Sequence, residues 1–469
     1  MYNLRFYDSL SKEKKVFQPI AAPKVLYYAC GPTVYNYAHI GNFRAYVFED
    51  FLHRTLKYFN FDVKMVMNIT DVDDKTIKGA KENNMGLKEF SKRFTKAFFE
   101  DIECLNILKA SSYPRASDHI AEMIAIIEKL LEDNLAYRGQ DGSIYFAINR
   151  FKNYGKLSGL ILEELKCDAS QRTSNDEYDK ENASDFVLWK AYNPTRDAKI
   201  YWESPFGKGR PGWHIECSAM AMKTLAESID IHTGGVDNIF PHHENEIAQS
   251  EGFSKKPFSK YWLHAEHLLV NNKKMSKSLG NFYTLRDLLE MGYDGYQIRY
   301  MLLQSHYRMQ LNFTLEGLKA AKQSLQRLQD FVDRISDIKR DDDFDPKELI
   351  GNTKKQFEEA ICDDLNISAA LASLFDLIRE GNKLCDKNLL GKNAATTFTS
   401  FFKKANQILG LLRFEKEHNA TPELLEKLQA RKEARIKKDF ALADQLRDEI
   451  EAAGYIIEDN TDGAKLKKK

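Results

Sequence analysis

The sequence Lys-Val-Leu-Tyr-Tyr-Ala-Cys at residues 24–30, followed at once by Gly-Pro-Thr, decides the fold. Its unbroken apolar character predicts a strand buried on both faces, which the Gly-Pro pair ends. Residues 39–59 carry apolar side chains every three or four positions, as an amphipathic helix does, and residues 61–69 are a second apolar strand. A strand, a helix and a strand in this order predict a parallel, Rossmann-like α/β sheet. Ligands of such sheets bind at the carboxyl ends of the strands, where Cys30 and Thr70 stand.

Outward from this core, the pattern along the chain changes repeatedly. After residue 112 the strand–helix alternation is interrupted by a helix (120–131), a strand candidate (142–148) and a polar stretch at residues 169–184. It resumes near Trp213, and from residue 315 leucine and isoleucine recur at helical spacing. The tail holds one amphipathic helix (441–453) and a small strand (454–457). We therefore expect the following segments: the first half of the α/β domain (1–112), a connective insertion (113–206), the second half of the α/β domain (207–314), a helical bundle (315–415) and a small C-terminal α+β module (416–469).

The composition of the 469 residues bounds the class of protein. Lys and Arg number 69, and so do Asp and Glu, so the formal net charge is zero and bulk charge does not hold the chain on nucleic acid. A local basic surface is compatible with this balance. No apolar run approaches the ~20 residues of a membrane helix, and the N-terminus has no signal-peptide core, so we expect a cytoplasmic protein without membrane association. Six scattered cysteines without a C-x-x-C pair fit a reducing compartment.

Residues 38–42, Ala-His-Ile-Gly-Asn, open the predicted helix directly after the first strand. A helix N-terminus offers unpaired N–H groups and a partial positive charge, which suit a phosphate group. Gly41 lets a ligand approach the backbone, and His39 can donate a hydrogen bond to a phosphate oxygen. Taken alone, a histidine that starts a helix and binds no ligand is an equally good interpretation. The chain lacks the Gly-rich phosphate loops G-x-x-x-x-G-K-[ST] and G-x-G-x-x-G.

Residues 274–278, Lys-Met-Ser-Lys-Ser, form a locally basic segment. A mobile loop with lysines and hydroxyls can close on a triphosphate and neutralise charge that develops at the α-phosphorus, whereas a solvated loop is the alternative. Together with the His39 motif, this segment resembles the two-part signature of class I aminoacyl-tRNA synthetases, with Asn42 where that signature has its second histidine. The resemblance implies ATP binding by His39, Gly41, Asn42 and Lys277. It implies catalysis by His39, Lys277 and Lys274.

A third group of residues has the chemistry of a metal site. Cys217 closes the run Gly-Trp-His-Ile-Glu-Cys, and His242 and Glu246 lie in the run Phe-Pro-His-His-Glu-Asn-Glu. Because His242 and Glu246 are four residues apart, they share one face of a helix. With Cys30, they make a set of two thiolates, an imidazole and a carboxylate, which suits tetrahedral zinc. From spacing alone, core cysteines beside a surface His/Glu helix are the alternative.

Four runs make the chain resemble cysteinyl-tRNA synthetases, and the similarity extends over nearly the whole length. They are Tyr-Ala-Cys-Gly-Pro-Thr-Val-Tyr at 28–35, Asn-Ile-Thr-Asp-Val-Asp-Asp-Lys at 68–75, Gly-Trp-His-Ile-Glu-Cys-Ser at 212–218 and Phe-Pro-His-His-Glu-Asn-Glu-Ile-Ala-Gln-Ser at 240–250. The resemblance implies that one zinc ion per chain is held by Cys30, Cys217, His242 and Glu246. It implies a cysteine pocket surrounded by Trp213, Thr70, His232 and Asp237.

Zinc would explain how such a site distinguishes cysteine from serine. The two side chains differ by one atom, and pocket fit alone discriminates by only ~1–3 kcal/mol. A soft thiolate bound directly to zinc is a larger difference. Zinc also favours the deprotonated thiol, which serine does not mimic at neutral pH. We therefore expect no editing domain, and the pattern holds no large extra α/β insertion that could be one.

Two further positions depart from the family pattern. Thr233 replaces a glycine of the usual Ile-His-Gly-Gly-Gly, and we expect its Cβ to narrow that turn. Leu466 stands near the end of the chain, where an aromatic residue is common. The resemblance implies anticodon contacts by Arg435, Asp444 and Asp459, although an exposed charge on a helix or turn would account for any one of them.

The residues and the resemblance together predict a cysteine-activating enzyme. ATP, accompanied by Mg²⁺, and L-cysteine would form cysteinyl-adenylate and pyrophosphate, and the cysteinyl group would pass to the terminal adenosine of tRNA(Cys). We expect a monomer whose bundle and C-terminal module bind the tRNA. One alternative is a related ligase that joins cysteine to a small amine, but such ligases lack an anticodon module and this chain has residues 315–469. The other is a non-catalytic zinc- or RNA-binding paralogue, which the presence of His39 and Lys277 disfavours.

Overall fold

A parallel sheet lies at the centre of the larger of two structural units, Met1–Leu412 and Arg413–Lys469. The computed structural model describes residues 3–160, 185–276, 279–341, 344–414, 422–460 and 463–468. In these ranges the strands are β1 (Arg5–Asp8), β2 (Glu13–Val16), β3 (Lys24–Ala29), β4 (Asp62–Met67), β5 (Ala136–Arg138), β6 (Ile144–Phe146), β7 (Phe186–Ala191), β8 (Gly209–Pro211), β9 (Ile229–Gly235), β10 (Ser259–Ala265), β11 (Leu268–Val270), β12 (Lys273–Lys274), β13 (Leu311–Phe313), β14 (Tyr455–Asn460) and β15 (Gly463–Lys468).

The helices of the same ranges alternate with these strands in the first part of the chain and follow one another in the second. They are α1 (Ile40–Tyr58), α2 (Asp74–Glu82), α3 (Leu87–Cys104), α4 (Ile120–Glu132), α5 (Pro194–Asp197), α6 (Trp213–Thr224), α7 (Glu244–Ser254), α8 (Leu285–Glu290), α9 (Gly295–Leu303), α10 (Leu315–Ser336), α11 (Lys347–Cys362), α12 (Ile367–Asp386), α13 (Lys392–Leu409), α14 (Pro422–Ile436) and α15 (Phe440–Ala452). None of these described helices is both long and apolar enough to cross a membrane.

Among the described residues, the central sheet has the strand order β10-β9-β3-β4, and each neighbouring pair is parallel. The helix α1 connects β3 to β4, and the bounds of all three elements agree within two residues with those predicted from the sequence. Strand β9 is buried along nearly its whole length, as expected of a sheet covered on both faces. The predicted Rossmann-like α/β fold is confirmed.

The connective insertion builds a second, antiparallel sheet in the order β5-β6-β7-β8. Its helix α4 matches the predicted helix within one residue, and the predicted strand is β6. The last strand of this sheet, β8, belongs to the chain that follows the insertion. The polar stretch at residues 169–184 lies outside the described residues.

The helical character predicted from residue 315 is confirmed by α10 to α13. In the smaller unit, α15 matches the predicted amphipathic helix, and β14 pairs with β15 in an antiparallel hairpin. The sequence patterns did not predict α14, because charged residues occupy 7 of its 15 positions and weaken the apolar periodicity. The five segment boundaries stay a prediction.

Asp50 on α1 is a buried charge that ties several elements together. Its Oδ2 accepts hydrogen bonds from Arg54 Nε at 2.8 Å and from Arg299 Nη2 on α9 at 2.5 Å. Its Oδ1 accepts the backbone N–H of Leu108 at 2.8 Å, and Arg299 Nε donates to the carbonyl of Leu409, the last residue of α13, at 2.9 Å. Burial alone would raise the pKa of Asp50, but the two guanidinium groups outweigh it and lower the pKa, so the carboxylate stays ionised.

Strand β9 carries Thr233, and here the structure differs from the expectation. Thr233 lies inside the strand rather than in a turn, and its Oγ1 is 3.1 Å from the Tyr27 hydroxyl oxygen and 3.3 Å from Glu49 Oε1 on α1. Its carbonyl oxygen accepts the backbone N–H of Cys30 at 3.1 Å. The Cβ of Thr233, which a glycine would lack, therefore fills space between β9 and α1. At Gly235 the backbone still lies close to a neighbouring side chain, since an added Cβ would be 2.3 Å from Asp237 Oδ1.

We predict that replacing Asp50 by Asn lowers the free energy of unfolding by about 3–5 kcal/mol, because two buried guanidinium groups lose their shared carboxylate. Urea denaturation at pH 7 measures the change, and the exposed pair Lys347–Asp345 supplies a control in Asp345→Asn, which should not alter stability. In the unchanged protein the contribution of Asp50 is complete above its ordinary pKa of 3.8 and is lost as the pH falls below 3.8 through the lower folded-state pKa. Equal stability of Asp50→Asn and the parent at pH 7 would contradict this account.

We also predict that Thr233→Gly costs about 1–2 kcal/mol of unfolding free energy, from added backbone freedom in a strand and a lost hydrogen bond. Thr233→Ser keeps the hydroxyl and should retain most of the stability. Denaturant titration of the three proteins tests this. A glycine variant as stable as the parent would show that the contacts to Tyr27 and Glu49 contribute nothing.

Candidate functional site

The four predicted metal ligands come together at the carboxyl edge of the central sheet. Cys30 follows β3, Cys217 lies on α6, and His242 and Glu246 flank the start of α7. One ligand atom from each residue lies within 4.8 Å of the others, and all four side chains are buried. This group is called the ligand cluster below. Its two sulfurs, one nitrogen and one oxygen are donors that suit zinc.

The local backbone explains how two of these ligands meet. Phe240 is extended (φ −138°, ψ 131°), and a turn through Pro241 leads into α7. His242 and Glu246 are then one helical turn apart, with 3.0 Å between His242 Nε2 and Glu246 Oε1. The shared helix face predicted from their spacing is confirmed.

Further imidazoles surround the ligand cluster. His232 Nε2 on β9 is 2.9 Å from Glu246 Oε2, and His214 Nδ1 shares a hydrogen bond of 3.0 Å with His242 Nδ1. His243 Nε2 is 3.3 Å from the Cys30 sulfur. Cys30 and Glu246, together with His232 and His243, form a second group of buried donors that overlaps the first.

His243 also continues outward to His264 on β10, with 2.8 Å between its Nδ1 and His264 Nε2. The sequence patterns did not single out His214, His243 or His264. The adjacent pair His242–His243 was a signal for one of them, whereas His264 meets the site only because β10 pairs with β9.

Negative and positive groups lie next to one another in the ligand cluster. The hydrogen bond from Cys30 lowers the pKa of Cys217 to about 6 although burial raises it, while burial and Cys217 raise the pKa of Cys30. Burial raises the pKa of Glu246, but His232 and His242 lower it to about 2. Burial lowers the pKa of His242, but Glu246 and Cys217 raise it to about 10. A protonated His242 thus offsets part of the negative charge of Glu246 and Cys217, and a bound divalent cation would take over that role.

Of the residues predicted to form the cysteine pocket, Trp213 and His232 contact this cluster directly. Trp213 stacks on the His242 ring with centroids 4.2 Å apart, yet it is 39% exposed and so offers a face to a ligand. His232 is buried and stacks on Trp262 at 4.5 Å. Thr70 is buried beyond β4, where Asn68 Nδ2 donates to its hydroxyl at 3.2 Å. Asp237 follows β9 in a short turn.

The predicted phosphate site is the start of α1. His39 caps the helix: its Nδ1 accepts the Asn42 N–H at 3.2 Å, and Asn42 Oδ1 accepts the His39 N–H at 3.1 Å. Burial lowers the pKa of His39, against the opposing effect of Asp237, so the ring is neutral and its proton is on Nε2, ready to donate to a phosphate oxygen. Asn42 therefore completes a capping box at the start of α1. Its departure from the family signature did not predict this role.

The basic segment lies against this helix start. A Cβ added at Gly41 would be 3.0 Å from the His39 ring and 3.3 Å from the Met275 methyl carbon. Beyond the loop, the carbonyl of Tyr283 accepts the Ile40 N–H at 3.0 Å. Lys274 is exposed at the end of β12, and Lys277 lies outside the described residues.

The smaller unit contains the predicted anticodon residues. Arg435 is in the last turn of α14, Asp444 is on α15, and Asp459 belongs to β14. Phe440, the first residue of α15, is 63% exposed.

Comparisons with known proteins agree with this geometry. The family model for the class I (C) tRNA synthetase catalytic domain matches residues 16–323, the DALR domain matches 356–413, and the cysteinyl-tRNA ligase anticodon binding domain matches 421–465. The cysteine–tRNA ligase of Chlamydia felis (strain Fe/C-56) is 56% identical over 99% of this chain and 98% of its own length. That of Protochlamydia amoebophila (strain UWE25) is 54% identical with the same coverage of 99% and 98%.

Among solved structures, methionyl-tRNA synthetase of Mycobacterium tuberculosis bound by methionyl-adenylate superposes with a TM-score of 0.60. The match covers 82% of this chain and 92% of that one at 13% identity, so it supports the fold alone. Family models and full-length relatives agree, and this chain belongs to the cysteine–tRNA ligase family.

Proposed function

We propose that this chain charges tRNA(Cys) with L-cysteine. ATP and L-cysteine form cysteinyl-adenylate and pyrophosphate, and the cysteinyl group then passes to the 3′ adenosine of the tRNA. The observation that carries the proposal is the position of the ligand cluster at the same sheet edge as a helix start suited to phosphate. Activation of cysteine by ATP requires a site that binds a thiol next to a site that binds phosphate.

Cys30, Cys217, His242 and Glu246 would hold one zinc ion per chain. The ion would bind the substrate as a thiolate, which is the chemistry that distinguishes cysteine from serine. Trp213 would cover the bound side chain through its exposed face, and Thr70, His232 and Asp237 would close the pocket around it. Each of the four ligands is buried, so competing water is kept from the site.

Activation would take place at the start of α1. The substrate carboxylate attacks the α-phosphorus of ATP, and Mg²⁺ accompanies the phosphates of the nucleotide. The Nε2–H of His39 and the helix N-terminus would hold phosphate oxygens. Gly41 would let them approach the backbone, and Asn42 would fix His39 through the capping box. Lys277, assisted by Lys274, would stabilise the charge that develops on the leaving pyrophosphate.

Binding of tRNA would involve the helical bundle (315–415) and the C-terminal module (416–469). Exposed lysines in the second half of the α/β domain would meet backbone phosphates, since the net charge of the chain is zero; they are Lys255, Lys256, Lys260, Lys273 and Lys274. Arg435, Asp444 and Asp459 would read anticodon bases, and Phe440 would offer a stacking surface to one of them. The enzyme would act in the cytoplasm as a monomer.

Charging of total tRNA with radiolabelled cysteine and ATP tests the proposal. We expect cysteine to be attached and serine to be rejected. Cysteine-dependent ATP–pyrophosphate exchange without charging would instead indicate a ligase that uses a small amine. No activity in either assay, with zinc bound, would leave a binding protein and overturn the proposal.

We predict that Cys217→Ser lowers the zinc content and raises the KM for cysteine by orders of magnitude, because a hydroxyl does not replace a thiolate ligand at neutral pH. The KM for ATP should change little, since the start of α1 is untouched. Zinc analysis and exchange kinetics measure both effects. Cys385→Ser, at a buried cysteine of α12, is the matched control. An unchanged KM for cysteine in Cys217→Ser would refute metal recognition.

A further inference from the structure

Glu244 is a fully buried carboxylate between two predicted metal ligands. It lies two residues after His242 and two before Glu246. Because two residues correspond to about 200° of helical rotation, its side chain leaves α7 on the side opposite to the ligands. The face of α7 that carries Glu244 is therefore available to fix the helix while the other face holds the ligand cluster.

The carboxylate of Glu244 is bound by one short segment of the connective insertion, residues 154–158, called the insertion latch below. Its Oε1 accepts the Gly155 N–H at 2.9 Å. Its Oε2 accepts the N–H groups of Leu157 at 3.1 Å and Ser158 at 2.8 Å, and the Ser158 hydroxyl at 2.9 Å. All four partners are neutral donors, so the latch forms an anion-binding nest.

Two further contacts join the same segment to the same helix. The Tyr154 hydroxyl donates to Asn245 Oδ1 at 2.5 Å, and Lys156 Nζ pairs with Glu251 Oε2 at 2.6 Å. Glu251 is seven residues after Glu244 and thus on the same helix face. The backbone of the latch is itself specific, since Gly155 has φ +93° and a Cβ there would lie 2.2 Å from the Leu160 carbonyl oxygen. The latch and α7 are fitted to each other along two turns of the helix.

We propose that Glu244 is a positioning residue for the metal: by docking α7 on the insertion latch, it sets the place of the two ligands His242 and Glu246. The proposal rests on the proposed function, because it concerns zinc bound by the ligand cluster. These two of the four ligands depend on α7 for their position, so a shift of this helix changes the donor geometry without removing a donor. Groups that orient metal ligands typically contribute about 10–100-fold to metal affinity.

Glu244→Gln is the sharpest test, because it preserves size but turns an acceptor into a donor. Each of the latch groups that contact Glu244 donates, so the new NH₂ group faces another N–H and the nest cannot close. We expect the dissociation constant for zinc, measured by competition with a chelator, to rise by about 10–100-fold. The absorption spectrum of the Co²⁺-substituted protein should change as well, and the KM for cysteine should rise while that for ATP stays constant.

Glu251→Gln is the matched control. It breaks the half-buried ion pair with Lys156 between the same helix and segment, while Glu251 Oε1 still has the Phe258 N–H at 3.1 Å to accept. A pair of this kind contributes less than about 1 kcal/mol, so zinc affinity should change by less than about fivefold. If Glu244→Gln does not fold, Ser158→Ala removes one donor from the other side of the nest. It should weaken zinc binding in the same direction and by less.

A folded Glu244→Gln with parental zinc affinity and Co²⁺ spectrum would overturn the proposal, and so would an unchanged protein that binds no zinc. The proposed function is judged separately, by charging and exchange in the unchanged protein. If those activities are absent while the affinities follow the expected order, the function fails and the latch stands. If charging occurs and Glu244→Gln binds zinc as the parent does, the latch alone fails.

Discussion

The site depends on the pairing of one buried carboxylate. Glu246 is inaccessible to solvent, and an ionised carboxylate in such a place is strongly unfavourable unless it is paired and hydrogen-bonded. Its two oxygens meet His232 Nε2 at 2.9 Å and His242 Nε2 at 3.0 Å. One imidazole belongs to β9 and the other to the turn before α7, so the charge fixes the strand and the helix relative to each other. Cys30 enters the same place because β3 pairs with β9 in the register Tyr28–His232.

The pairing of β3 with β9 also joins the two halves of the chemistry. The Thr233 carbonyl holds the Cys30 N–H, while the Thr233 side chain contacts Glu49 on α1, the helix whose start carries His39. The ligand cluster and the helix that begins at the predicted phosphate site are thus attached to one strand. Attack of a carboxylate on a phosphorus atom requires both substrates in one geometry, and a rigid sheet edge supplies this more accurately than two independent loops.

The sequence predicted the sheet because β3, α1 and β4 carry strong and uninterrupted patterns, and it missed α14 because a charged helix has little apolar periodicity. The ligand cluster was only half visible from the residues. Spacing joined His242 to Glu246, whereas Cys30 and Cys217 come from distant segments. Donor chemistry suggested all four as a zinc set, and the family resemblance was needed to favour that set over core cysteines beside a surface helix. The contact of His264 with His243 arises from strand pairing, which no local pattern encodes. The orientation of the Thr233 side chain was predictable from the sequence. Neighbouring side chains on a strand point to opposite faces of the sheet, and His232 points toward the ligand cluster.

Selection of a thiol over a hydroxyl requires more than the presence of a soft metal ion. A zinc ion has no geometric preference from its d electrons, so its protein donors set the geometry that a substrate meets. Discrimination then depends on four donors with fixed positions, which the substrate thiolate would join. Here Glu246, one of the predicted ligands, is paired with His232 and His242 on one side of α7, and the opposite side of the helix is fixed by Glu244 on the backbone of residues 155–158. Residues remote from the substrate therefore contribute to specificity by keeping the helix rigid rather than by contact with the substrate.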